Sequence, residues 1–284
     1  MSTTRECIVC GSVRPAPLYT GILACRACGH VFADLEISDE ELLRLYGKSY
    51  FFGDEYSDYL ADKGALQKNF RLRMRTLDTF MDSARHRRLL EIGCAYGFFL
   101  EVAHARFEEV MGIDIAADGV RHAQDTLQLN AIQGDFLAHD FGGRKFDVVC
   151  LWDTIEHLRD PHLYIEKAAS CTDSGALLTI TTGDIESLAA RIKRDKWRLL
   201  HPPTHLHYFS PHTLSTLLDR YGFEVVYNRY CGFYRSIDNI AYNILVLRKQ
   251  QHRLYDFLRK SGLTKLDFYL NVYDIMYVVA RRRR

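Results

Sequence analysis

Apolar positions recur along this chain with two different periods, and the change from one to the other divides it. Residues 38–82 place them at helical spacing, as in "SDEELLRLYGKSY" and "YSDYLADKGALQKNFRLRMRTLDTFM". Ser38 and Glu41 stand at capping-box spacing, in which a hydroxyl and a carboxylate satisfy the open N–H groups of a helix start. From residue 87, short β-rich runs alternate with amphipathic stretches instead. This pattern predicts strands at 87–93, 109–115, 129–134, 146–152 and 175–182, and helices at 97–106, 118–128 and 162–171. A helix at 211–221, a strand in "GFEVVYNRY" and a last strand in "DIMYVVARRRR" follow, with residues 233–265 reading as mostly helical. Such alternation implies a doubly wound α/β fold, with parallel strands covered by helices on both faces.

Residues 5–33 fit neither period. They are turn-rich and carry Cys7 and Cys10 in "CIVCG" and Cys25 and Cys28 in "CRACG". Two thiolates three positions apart on a tight knuckle can point at one ion, and the glycine after each second cysteine lets the turn close. Two knuckles complete a tetrahedral, closed site, so the expected metal is structural zinc and activates no water. Nothing suggests redox chemistry, which sets an iron–sulfur cluster aside. The expected organisation is a zinc-binding knuckle at 1–34, a helical lid or linker at 35–84, and a large domain at 85–284 with a helical insertion at 233–272.

Composition narrows the function classes. With 284 residues, 48% of them hydrophobic, the chain can bury one large core and a small satellite. A net charge of +1 provides no chain-wide field for nucleic acid. No apolar run approaches the ~20 residues of a membrane span, and paired cysteines at metal spacing point to a reducing, cytoplasmic setting.

The chemistry centres on "LLEIGCAYGFFL". An acid, Glu91, ends the first strand of the large domain, and small residues at Gly93, Ala95 and Gly97 lead into a helix, leaving backbone able to lie against a ligand. A dinucleotide site would want glycine at 98, where Phe98 stands, so a nucleoside without a pyrophosphate is the better guest. These residues resemble the first motif of the class I S-adenosylmethionine-dependent methyltransferases, E/D-x-G-x-G-x-G, with Ala95 as the departure. Asp114, followed by Ile115, ends the second strand, where an acid can accept both ribose hydroxyls. The resemblance further implies that Asp135 and Phe136 of "QGDF" meet the adenine. It also places Trp152 and Asp153 of "FDVVCLWDTIEHLRDP" beside the methionine part. The implied fold is a seven-stranded Rossmann-like sheet, mostly parallel, with its last strand reversed.

Methyl transfer to a hydroxyl or carbon acid needs an aligned nucleophile and a base, and histidine titrates in the right range. Candidates are His157 and the cluster "HPPTHLHYF" with His201, His205 and His207, at least one of His205 and His207 facing the substrate. His157 could equally cap a helix. The H-x3-H-x-H spacing could hold a second ion, although no acid stands within it. Tyr46, Tyr50, Phe51 and Phe52 form an aromatic cluster expected to close over the site or to pack the two domains together. The combination is similar to small-molecule methyltransferases of nucleotide-sugar and glycan pathways, which implies a sugar-like acceptor. An RNA methyltransferase is the first rival, but "WDTI" stands where such enzymes carry an Asn/Asp-Pro-Pro-aromatic tetrad. A silent scaffold, admitted by Ala95, is the second. The insertion, with "NILVLRKQQHRLYDFLRK", is expected to serve as a lid, a dimer contact or a peripheral membrane contact.

Overall fold

The computed structural model describes residues 6–47, 51–52, 58–262 and 266–283. Three short strands open the chain: β1 (Pro15–Tyr19), β2 (Ile22–Cys25) and β3 (Val31–Ala33). Helix α1 (Asp39–Leu45) carries the expected capping box, with Ser38 Oγ accepting from Glu41 N–H and the Glu41 carboxylate accepting from Ser38 N–H. Helix α2 (Lys63–Asp78) buries Ala65, Asn69, Phe70, Arg73, Met74 and Leu77 along one stripe.

The alternating region then runs β4 (Arg88–Ile92), α3 (Phe98–Ala103), β5 (Glu109–Asp114), α4 (Ala117–Arg121), β6 (Ala131–Gln133), β7 (Phe146–Trp152), α5 (Pro161–Ser170) and β8 (Thr172–Gly183). Helix α6 (Leu188–Lys193), strand β9 (His207–Tyr208), α7 (Pro211–Arg220) and β10 (Phe223–Tyr230) follow. The last elements are β11 (Phe233–Ser236), α8 (Ile237–Ala241), α9 (His252–Lys260), β12 (Asp267–Leu270) and β13 (Ile275–Arg282).

Seven strands form one mixed sheet in the order β10-β13-β8-β7-β4-β5-β6. Strands β4 to β8 run parallel, while β13 lies antiparallel to both β8 and β10. Period-2 alternation sends side chains to two cores. Along β7, Val148, Cys150 and Trp152 join Met74, Leu77, Phe98 and Phe99 on one face. Val149 and Leu151 join Ile165, Leu217 and Phe223 on the other, where the knuckle residues Cys7, Val9 and Cys25 also pack. The expected doubly wound fold with a reversed last strand is present. Helix α2 serves as a wall of this core, because Phe70, Met74 and Leu77 are buried in it.

Two features differ from the sequence pattern. The stretch after β10 is only partly helical: β11 and β12 pair antiparallel, Phe233 opposite Leu270 and Ser236 opposite Asp267, and close the excursion as a hairpin base. Each is four residues long, too short for a period-2 signal to emerge. Strand β9 is the second surprise, since it pairs with β3 through Val31–Tyr208 and Phe32–His207. The small sheet therefore has the order β1-β2-β3-β9, three strands from the N-terminal region and one from the large domain.

Candidate functional site

At the carboxyl ends of β4 and β5, the chain turns through left-handed backbone at Gly93 (φ 80°), Ala95 (φ 43°) and Gly97 (φ 78°). The bareness serves protein packing first. A Cβ on Gly93 would stand 2.7 Å from the Thr154 side chain, and one on Gly97 would stand 2.8 Å from Ala123 Cβ. Asp114 holds the bend open by accepting from Ala95 N–H at 2.7 Å and from Ala116 N–H at 2.7 Å, one on each carboxylate oxygen. Burial raises its pKa, and those backbone bonds act in the opposite direction. Each oxygen keeps a second lone pair for a ligand hydroxyl.

This bend forms one end of a cavity of about 760 Å³ whose wall includes Gly93, Ala95, Asp114, Ile115, Asp135, Phe136, Trp152 and Asp153. Of the expected nucleoside-binding residues, Glu91 and Gly97 stand behind that wall. Glu91 is buried in the sheet, and Gly97 forms the N-cap of α3. Asp135 accepts from Leu137 N–H at 3.0 Å and from the Tyr164 hydroxyl at 3.1 Å, while the Phe136 ring packs on Phe141 and Tyr164.

Asp153, in left-handed backbone at φ 50°, pairs with Arg73 at 2.8 Å. The Arg73 guanidinium also lies over the rings of Phe70 and Trp152. Sequence reasoning passed over this arginine, although its signal was present. Asn69 and Arg73 are polar residues on the apolar stripe of α2, and a buried charge needs a partner.

The opposite end of the cavity carries Tyr46, Glu156, His157, His201 and His205, whereas Phe51 packs on Tyr59 and Tyr96 beside the glycine bend. His157 Nδ1 lies 2.8 Å from the Thr204 carbonyl and 3.0 Å from the Tyr46 hydroxyl, which itself donates to Thr204 O. Burial pushes the His157 imidazole down to about 4 and takes His205 well below its ordinary value. His205 Nδ1 donates to Leu199 O at 2.8 Å, and its ring centre is 4.6 Å from that of His157 and 4.0 Å from that of His201. Glu156 was not anticipated; burial, with Asp153 beside it, pushes its carboxyl up to about 8.

His207 is not brought to this cavity. It is 2% exposed, stacked on His30, with Nδ1 3.1 Å from His30 Nε2 and Nε2 3.1 Å from Arg159 O. Pairing of β9 with β3 sets His207 opposite Phe32, which lays its ring on His30 of the N-terminal sheet. Tyr50 lies outside the described residues.

The four cysteines converge as their spacing implied. Cys7 and Cys28 sulfurs are 3.6 Å apart, as are Cys10 and Cys25, and all four lie within 4.8 Å of one another. Tetrahedral thiolates on zinc stand roughly 3.8 Å apart. Each knuckle closes through its glycine, Gly11 N–H to Cys7 O and Gly29 N–H to Cys25 O, both glycines left-handed. The donor set fits a closed structural zinc site.

A family profile described as a methyltransferase domain matches residues 62–228, more than half of the chain. The chain belongs to the class I S-adenosylmethionine-dependent methyltransferases. Among curated relatives of this methyltransferase, the ubiquinone biosynthesis O-methyltransferase of Bordetella avium is 24% identical over 63% of this chain and 82% of its own. The enzyme of the same name from Cereibacter sphaeroides (strain ATCC 17025 / ATH 2.4.3) is 27% identical over 49% of this chain and 61% of its own, and that from Chelativorans sp. is matched over only 40% of its length. Among solved structures, a putative methyltransferase from Bacillus halodurans superposes with a TM-score of 0.57 at 13% identity, over 76% of this chain and 100% of that one. Magnesium protoporphyrin IX methyltransferase from Synechocystis PCC 6803, with bound SAH, gives 0.55 at 16% identity, over 86% and 100%. These two likenesses concern the fold.

Proposed function

We propose that the methyltransferase binds S-adenosylmethionine along Gly93–Ala95, Asp114 and Asp135 and transfers its methyl group to a small-molecule acceptor held at the histidine end. One observation carries this reading: a single cavity joins the Asp114 carboxylate to the His157–His201–His205 cluster. Its volume of about 760 Å³ falls within the ~300–1,000 Å³ of small-molecule sites. The donor supplies an electrophilic methyl on a sulfonium. The chain's own residues orient the acceptor and receive its proton on an imidazole as the nucleophile bonds to the methyl carbon and the carbon–sulfur pair returns to sulfur.

Ala95 does not weigh toward a silent scaffold. Its backbone holds the left-handed turn, and its N–H reaches Asp114 as the motif requires. Asn69, Arg198, Arg235, Ser236 and Asn239 make much of the acceptor wall polar, which supports a sugar-like acceptor such as a nucleotide sugar or glycan precursor, methylated on carbon or oxygen. The relatives' names favour a second reading, an aromatic hydroxyl acceptor. The four cysteines hold structural zinc in this proposal. No helix among the described residues is long and apolar enough to cross a membrane, and reduced thiols at metal spacing suit the cytoplasm.

Calorimetry with S-adenosylhomocysteine tests the donor half. Binding in the wild type, weakened tenfold or more by Asp114→Ala, is expected, and no heat from the wild type would refute it. Labelled donor incubated with panels of nucleotide sugars and of phenols then assigns the acceptor.

A further inference from the structure

Glu156, His157 and His205 each present one ligand atom within 4.8 Å of the other two. They come from two segments, the turn after β7 and the loop before β9, which the Leu206 N–H to Glu156 O bond of 2.8 Å locks together. Glu156 is 5% exposed, and its Oε2 makes no well-aligned hydrogen bond among the described residues, the Thr182 hydroxyl being the side-chain donor beside the carboxyl. A buried carboxylate oxygen in that state is costly and asks for a cation or a donor.

The imidazoles supply the second observation. His157 Nδ1 faces the Thr204 carbonyl and His205 Nδ1 faces the Leu199 carbonyl, and a carbonyl can only accept. The His205 ring therefore carries its proton on Nδ1 and its lone pair on Nε2. A backbone carbonyl fixing one ring nitrogen so that the other turns to an ion is the recurring support of metal-bound histidine.

We propose that Glu156, His157 and His205 hold a divalent transition-metal ion at the acceptor end of the cavity, separate from the four-cysteine site. Two imidazoles and one carboxylate suit Zn²⁺, Fe²⁺ or Co²⁺, whereas Mg²⁺ and Ca²⁺ favour all-oxygen sets. Ligand atoms on one ion stand roughly 3–4 Å apart, so small side-chain rotations complete the set. Three protein ligands leave coordination positions open, and an acceptor hydroxyl bound there is oriented and acidified. His201, in ring contact with His205, is the imidazole at the site that remains to take its proton.

The test uses the full chain loaded with Co²⁺, which reports sulfur ligation by its charge-transfer band. The expected stoichiometry is two ions, one with the sulfur band and one without. His205→Ala abolishes the sulfur-free equivalent, and Glu156→Gln weakens it at least tenfold, while both keep the sulfur-bound ion and bind S-adenosylhomocysteine as the wild type does. A wild type that takes only the sulfur-bound ion overturns the proposal. So does a sulfur-free ion unaffected by either substitution. If a variant loses the sulfur band as well, His205→Gln replaces it, and the same criterion applies. Failure of the wild type to bind S-adenosylhomocysteine counts against the methyltransferase reading and leaves the ion count to decide this one.

Discussion

At position 95 a methyl group sits on left-handed backbone, a conformation costing an L-residue roughly 1–2 kcal/mol. Ala95→Gly relieves that strain but loosens the unfolded chain by roughly 0.4–1 kcal/mol. Urea denaturation should show a net gain of about 0.5 kcal/mol. Gly93→Ala acts in the other direction, because its Cβ meets Thr154. A loss of about 2 kcal/mol is expected, partly recovered when Thr154→Ala is added, as a double-mutant cycle would show. The glycine motif was legible in the sequence, yet its immediate steric cause, Thr154 and Ala123, was not, because those neighbours are distant in the chain.

Asp147 gives a pH signature at the same scale. It accepts from the backbone N–H groups of Arg87 and Arg88 and pairs with the Arg88 guanidinium at 3.2 Å. Burial alone would raise its carboxyl, but these donors hold it below the usual carboxylate range. A depressed folded-state pKa contributes stability above the unfolded value of about 3.9 and loses it as pH falls toward the folded value. Asp147→Asn should cost about 1 kcal/mol at pH 7, given solvent screening. The difference from wild type should close below about pH 4 in chemical denaturation.

Among the elements, α2 and the β11–β12 hairpin depend on one side chain. Asn69 accepts from Tyr234 N–H at 2.5 Å and donates to Tyr234 O at 3.0 Å, taking the place of a strand neighbour. Asn69→Ala should remove about 1–2 kcal/mol of local stability. Hydrogen exchange should then speed up at 233–236 and 267–270 while β4 and β7 stay protected. The strands and helices of the core were legible because each is long enough for its apolar period to show. The hairpin strands and two-residue β9 were not, since pairing partners far along the chain define them. The donor half of the site followed the strand ends, which local pattern locates, and Arg73 escaped because a helix ahead of the core delivers it.

Across the whole molecule, the large domain and the cysteine knuckle share a sheet through β3 and β9. Ala33 N–H bonds to Leu206 O, next to His205, so the N-terminal sheet braces the acceptor end through a direct backbone bond. Stripping the zinc proposed at the cysteines with a thiol-selective chelator should therefore abolish turnover before it weakens S-adenosylhomocysteine binding, read in parallel by activity and calorimetry.

The pairing of Val31 with Tyr208 and of Phe32 with His207 also sets the terms of any graft. A homologue's knuckle transplanted onto this chain arrives with an edge shaped for its own fourth strand, and the His30–His207 stack would be broken on one side. Chimeras should work only when residues 204–210 travel with the knuckle, which makes two segments more than 170 positions apart a single heritable module.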